Sequence, residues 1–197
     1  MKNFLLIAAA VCIAYAVNAQ ELGKTFIGVK GGLNATNIGG NEADNVLKIG
    51  GHFGVFAQSH VIEPLDFRLE LLISGQGHAP KTDLDNKLKL TYLNIPILAQ
   101  LYPADKFSVY AGPQFGFLLS AKAEYQDLTI KVKDNFKGFD LGFALGAGYD
   151  IHILERDLNL SLRYIHGLTN ISKDSAAKRY NRVFQLSLGI WIFETVQ

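Results

Sequence analysis

The sequence predicts an all-β chain folded as an eight-stranded antiparallel up-and-down transmembrane β-barrel, and three observations carry that prediction. From Thr25 to Phe193, apolar residues recur at every second position within strand-length stretches. The connections between the stretches alternate long and short, as in a meander whose turns are tight on one side of a bilayer and free to grow on the other. The second face of the strands is made of small and scattered ionic residues, not the Lys, Glu and Thr that coat a soluble sheet.

Strands are expected near 25–34, 48–62, 66–77, 88–102, 107–122, 138–153, 158–168 and 182–193. The first places Lys30 on the inward face, and the second runs into the short turn Glu63-Pro64-Leu65. The third sets Phe67, Leu69, Leu71 and Ile73 on one face against Arg68, Glu70, Leu72, Ser74 and Gln76 on the other. The fourth changes phase, from Leu88, Leu90 and Tyr92 to Leu93, Ile95, Ile97, Ala99 and Leu101, which predicts a bulge near Tyr92 before Pro96. The short turn Pro103-Ala104-Asp105-Lys106 leads to the fifth, where Val109, Phe115 and Phe117 oppose Ser108, Gly112, Gly116 and Ser120. In the sixth, Leu141, Phe143 and Leu145 oppose Asp140, Gly142, Ala144 and Gly146. A third short turn, Leu154-Glu155-Arg156-Asp157, precedes the seventh strand, which carries Arg163 inward, and the eighth ends near Phe193.

Met1-Lys2-Asn3, the apolar run from Phe4 to Ala16 and the small-residue site Val17-Asn18-Ala19 read as a cleaved export signal over residues 1–19. The barrel domain then occupies residues 20–197, with cleavage between Ala19 and Gln20. Cys12 lies inside that signal, so the processed chain has no thiol for a disulfide, a metal or a nucleophile. Lys2 is the one charged residue of the signal, which leaves 18 basic side chains against 18 acidic ones, a balance that points away from nucleic acid.

Alternation alone also fits a secreted soluble lipocalin-like barrel that binds a ligand. The small second face favours the membrane, with Phe67, Leu69, Leu71, Ile73, Val109, Phe115, Phe117, Leu141, Phe143 and Leu145 facing lipid. Ionic side chains must then turn inward and pair, which predicts an interior polar network of Lys30, Arg68, Glu70, Asp140 and Arg163. Aromatic residues fall near strand ends, among them Phe53, Phe56, Tyr92, Tyr102, Phe107, Tyr149, Tyr164, Trp191 and Phe193, and some of these are expected in interfacial girdles. An eight-stranded interior is just wide enough for side chains, which disfavours an open pore.

Other motifs say less. Gly146-Ala147-Gly148 lies within a strand and lacks dinucleotide spacing, and the five histidines are scattered without metal-site pairing, so no cofactor or metal is expected. An outer-membrane enzyme acting on lipid or peptide would draw on His78, Asp83 and Asp85 with Ser74 or Ser120, residues without the spacing of an assembled site.

Gly28-Val29-Lys30-Gly31-Gly32-Leu33-Asn34, Glu70-Leu71-Leu72-Ile73-Ser74, Tyr92-Leu93-Asn94-Ile95-Pro96, Tyr110-Ala111-Gly112-Pro113, Asp140-Leu141-Gly142, Arg163-Tyr164 and Gly167-Leu168-Thr169-Asn170-Ile171 together resemble the PorT-like outer-membrane barrels of Bacteroidetes-type bacteria. The resemblance spans nearly the whole processed chain. It implies the outer membrane as location, outer-membrane lipid and the barrel insertion machinery as partners, and a link to secretion by analogy with the protein that names the group. Such barrels usually end on an aromatic residue, whereas Glu194-Thr195-Val196-Gln197 follows Phe193 here. Asp174-Ser175-Ala176 is similar to the O-glycosylation signal of these bacteria, with Ser175 as acceptor. The expected role is a noncatalytic barrel serving envelope structure, or a protein partner at the outer loops, where Tyr125, Leu128, Ile130 and Phe136 predict a hairpin standing above the membrane.

Overall fold

The computed structural model describes residues 24–40, 45–80, 87–125, 128–153, 156–174 and 176–195. Its elements in chain order are β1 (Thr25–Gly40), β2 (Asn45–Val46), β3 (Lys48–Ile62), β4 (Leu65–Pro80), β5 (Lys87–Ala104), β6 (Phe107–Tyr125), β7 (Leu128–Lys131), a 3-10 turn at Lys133–Asn135, β8 (Phe139–Ile153), β9 (Arg156–Gly167) and β10 (Arg179–Thr195). β2 and β7 are short additions beside β4 and β6. The other eight strands pair antiparallel with their neighbours, and β1 pairs with β10 to close the barrel.

The register fixes the geometry. Following paired residues around the wall from Phe117 leads through Leu93, Ile73, Phe53, Gly31, Leu188, Leu160 and Tyr149 to Phe107, ten residues back along the starting strand. A shear of ten over eight strands tilts them by roughly 40° to the barrel axis, from the usual rise per residue and strand spacing. At that tilt a strand of about 9–11 residues spans a hydrocarbon layer. β6 has 19 residues and β5 has 18, so both continue beyond it. The predicted segments for β1, β6 and β10 stopped short on the outer side because polar residues such as Asn37, Glu124 and Asn181 can extend a ladder where a bilayer no longer constrains them.

Two connections are two-residue turns, Glu63-Pro64 and Asp105-Lys106, with Lys106 in the left-handed region at φ 63°. In the third short turn, Leu154 and Glu155 fall outside the described residues, as do Ala19, Gln20 and Ser175. Outward positions carry exposed apolar side chains, with Leu145 and Leu162 each 59% exposed.

Three expectations need correction. β5 has no break in facing: Leu90, Tyr92, Asn94, Leu98 and Gln100 all point inward, and what changes along the strand is which face is apolar. The bulge expected near Tyr92 is present in the β5–β6 ladder, but the extra residue belongs to the partner strand: Thr91 pairs with Ser120 and Tyr92 with Leu118, so Leu119 is inserted. That bulge reverses the alternation of β6: Ala121 and Ala123 become the inward residues, and Ser120 is carried off the interior face. Phe56, Tyr92 and Tyr102 do not join a girdle, because the first two are buried inside and the Tyr102 hydroxyl accepts from Gln58 and Gln100 in the lumen. Phe107, Tyr149 and Phe193 face outward near the short turns, and Phe117, Phe139, Tyr164 and Phe184 face outward toward the long loops.

Candidate functional site

Side chains fill the interior in layers, and the most polar layer lies on the short-turn half. Glu70 on β4, fully buried, accepts from Lys30 Nζ of β1 at 3.1 Å through Oε1. Arg163 of β9 grips the same carboxylate in bidentate fashion, Nη1 to Oε2 at 2.7 Å and Nη2 to Oε1 at 2.8 Å. One carboxylate thus joins three strands across the lumen. Arg163 also lies over the Tyr110 ring, 5.0 Å from its centre. The glycines opposite make room for such rings: a Cβ on Gly146 would sit 2.6 Å from Tyr110, and one on Gly28 would sit 2.5 Å from Phe56.

Arg68, one inward position closer to the short turns, does not touch Glu70 by hydrogen bond. Its Nε donates to Gln58 Oε1 at 3.0 Å and its Nη1 to Asn159 Oδ1 at 3.4 Å, and it stacks 4.9 Å above Phe56. Those amides hand the charge on, since Gln58 Nε2 donates to Asp66 Oδ2 and Asn159 Nδ2 to Asp150 Oδ1, both at 2.6 Å. Arg68 therefore meets its counter-charges one amide away.

Above the ionic layer, Asn34 Nδ2 donates to Ser74 Oγ at 3.0 Å and to the Gly75 carbonyl at 2.9 Å. His52 lies between Asn34 Oδ1 at 2.7 Å and Ser187 Oγ at 2.8 Å, and Gln185 Nε2 donates to Asn34 Oδ1 at 3.1 Å. Asn34 entered the motif reading only as the end of a family-like run, and nothing there placed His52, Gln58, Gln185 or Ser187 in an interior network. The alternation does contain them, since each shares the inward parity of its strand.

Asp140 is separate from the other four members of the expected network. Asp140 lies six residues from Gly146, the partner of Arg163, which is roughly 20 Å along the strand. There it accepts from Thr169 Oγ1 and Asn181 Nδ2, each at 2.7 Å. Shared facing therefore did not mean shared depth.

The long-loop half is closed by an apolar cluster of Ile38, Leu90, Tyr92, Leu118, Ala121, Phe136 and Ile171. Phe136 follows the 3-10 turn and Ile171 belongs to the connection between β9 and β10, so two loops fold inward to supply them. They are tied to each other by Lys137 N to Ile171 O at 2.8 Å, Lys173 N to Asn135 O at 3.1 Å and the bridge between Phe136 and Ser172. Asn170 Oδ1 accepts from the amides of Ser172 and Arg179, which fixes the second loop on itself.

Of the residues weighed for hydrolysis, the two serines lie on different faces of the wall. Ser74 Oγ accepts from Asn34 in the interior, Ser120 faces away from it, and Asp83 and Asp85 lie outside the described residues. Among the described residues no group of three His, Cys, Asp or Glu is placed to hold a metal ion. Among the described residues β7 pairs with β6 alone, and Leu128, Thr129, Ile130 and Lys131 are all exposed.

A profile of the family described as "Outer membrane protein beta-barrel domain" matches residues 18–173. No curated protein matches the chain. Among solved structures, Neisserial surface protein A superposes with a TM-score of 0.54 at 16% identity, covering 86% of this chain and 98% of that one. Ail, the attachment invasion locus protein of Yersinia pestis, solved with the heparin analogue sucrose octasulfate, gives 0.50 at 12% identity over 86% and 99%. The outer membrane protein OprG of Pseudomonas aeruginosa gives 0.50 at 15% identity over 89% and 98%. These likenesses are of fold.

Proposed function

Because the chain belongs to the outer membrane protein beta-barrel domain family, we propose that it works as a sealed, noncatalytic barrel that presents its outer loops to a protein partner. The observation that carries this reading is the filled lumen. A cross-lumen ionic layer occupies one half and an apolar cluster closes the other, so the barrel offers a rigid platform in place of a conduit. The long-loop side holds the groups suited to contact, above all the edge of β7 that no described residue pairs with, where Leu128 and Ile130 are exposed.

The finer placement is with the PorT-like group, supported by the motifs quoted above, and with it an accessory part in secretion by analogy. Thr169, Asn170 and Ile171 of one such motif all bear on the outer closure. Export through a signal cleaved at Ala19, delivery by the insertion machinery and modification of Ser175 belong to the same proposal. A photocrosslinker at position 130, activated in whole cells, is expected to trap a discrete envelope protein. Adducts no different from those formed at Ile153, on the opposite rim, would remove the partner from the proposal.

A further inference from the structure

The outward face of the β9–β10 ladder is ordered by chemistry along its length. Leu160 pairs with Leu188 and Leu162 with Leu186, all exposed; Tyr164 then pairs with Phe184, and His166 with Arg182. The aromatic rings pack at a tilt of 39° with centres 4.7 Å apart. Two apolar rungs, an aromatic rung and a cationic rung mark the passage from hydrocarbon to headgroup on the long-loop side.

The cationic rung is shaped as well as charged. The Arg182 guanidinium lies over Gly39 of β1, where a Cβ would sit 2.7 Å from its Nε, so the glycine leaves the space that the side chain crosses. Gly39 pairs with Tyr180, two residues nearer the loop than Arg182, so the guanidinium leans out of the hydrocarbon toward the loops. None of the ion pairs among the described residues involves Arg182. His166 Nδ1 meets Tyr164 Oη at 3.2 Å, which turns Nε2 to the other side of the ring. His166, Leu168, Tyr180, Arg182 and the backbone at Gly40 and Gly167 bound a surface cleft of about 380 Å³.

We propose that this cleft binds the phosphate of an outer-leaflet lipid, whose acyl chains run down the Leu160/Leu188 and Leu162/Leu186 rungs. A planar guanidinium with no carboxylate partner among the described residues suits a phosphate oxygen pair, and His166 and Tyr180 line the same cleft. The continuous apolar ladder below selects a phosphate that carries chains over a free one. The inference rests on the membrane placement of the barrel.

Native mass spectrometry of the detergent-purified barrel, titrated with phosphatidic acid or phosphatidylcholine, tests it. The parent protein is expected to retain phosphatidic acid in preference, and Arg182→Gln to lower that apparent affinity about tenfold, the scale of one charge-assisted hydrogen bond. Arg156→Gln at the short-turn rim is expected to change nothing, and excess inorganic phosphate is expected not to displace the lipid. Equal retention by Arg182→Gln, an equal loss in Arg156→Gln, or displacement by inorganic phosphate would each overturn the site. Insertion into phosphatidylcholine vesicles, read separately by protease protection, distinguishes a failure of the membrane placement from a failure of this site.

Discussion

Glu70 is the residue on which the interior depends most, because two buried cations from different strands share its carboxylate. Removing it by Glu70→Ala leaves Lys30 and Arg163 enclosed without a counter-charge, a change that costs about 3–5 kcal/mol in buried pairs. Urea unfolding of the barrel in lipid vesicles is expected to show a loss of that size. Replacing all three with Leu, Met and Met removes the charges together and is expected to cost far less, since well-packed apolar substitutes for a buried ion cluster are often neutral. A triple variant as unstable as the single one would mean that cavity formation, not charge, sets the cost. The reading of facing from sequence reached these three residues because period-two alternation is a strict rule of strands. It could not reach depth, which depends on tilt and register, and so it grouped Asp140 with residues it never meets. Gly146 tests the same packing from the other side. Gly146→Val drives a side chain into the Tyr110 ring and is expected to destabilise the barrel by about 1–3 kcal/mol, the usual scale of overpacking.

At the scale of elements, the informative case is β5 with β6. A run of apolar residues that changes parity has two explanations, an inserted residue or an interior that itself turns apolar. Sequence inspection of one strand cannot separate them. The extra residue lies on β6, at Leu119, and the inward Leu90 and Tyr92 of β5 belong to the outer closure. Sequence placed Phe136 in a hairpin standing above the membrane and Ile171 at the end of a family-like motif, whereas both are buried in this closure, because they find their partners through backbone bonds between segments distant in sequence. The short β7 is different in kind: its four residues are exposed and, among the described residues, pair only with β6. Replacing Leu128–Lys131 with Gly-Ser repeats is therefore expected to leave heat-modifiable migration on gels, a readout of the folded barrel, unchanged while abolishing crosslinks from the hairpin. Loss of the folded band would show that β7 supports the wall.

For the whole molecule, the outward apolar belt and the filled lumen make opposite demands that one substitution each can separate. Leu71 faces outward on β4 between Leu69 and Ile73, and an arginine near the bilayer centre costs about 2–4 kcal/mol on such a face. Leu71→Arg is expected to lose that much stability in vesicles, and unimpaired folding would argue that position 71 never meets hydrocarbon. The lumen makes its claim through ion flow. With Glu70, Lys30 and Arg163 bridging the interior and Ile38, Leu90, Phe136 and Ile171 closing the loop side, the parent barrel in a planar bilayer is expected to pass no steady current. Phe136→Ala with Ile171→Ala removes the two side chains that the loops contribute, yet the ionic layer beneath them stays in place. Conductance is expected to remain closed in that double variant and to appear only when Glu70→Ala is added, because two barriers in series must both be broken. A steady current through the parent protein would overturn the sealed platform and return the barrel to the class of conduits.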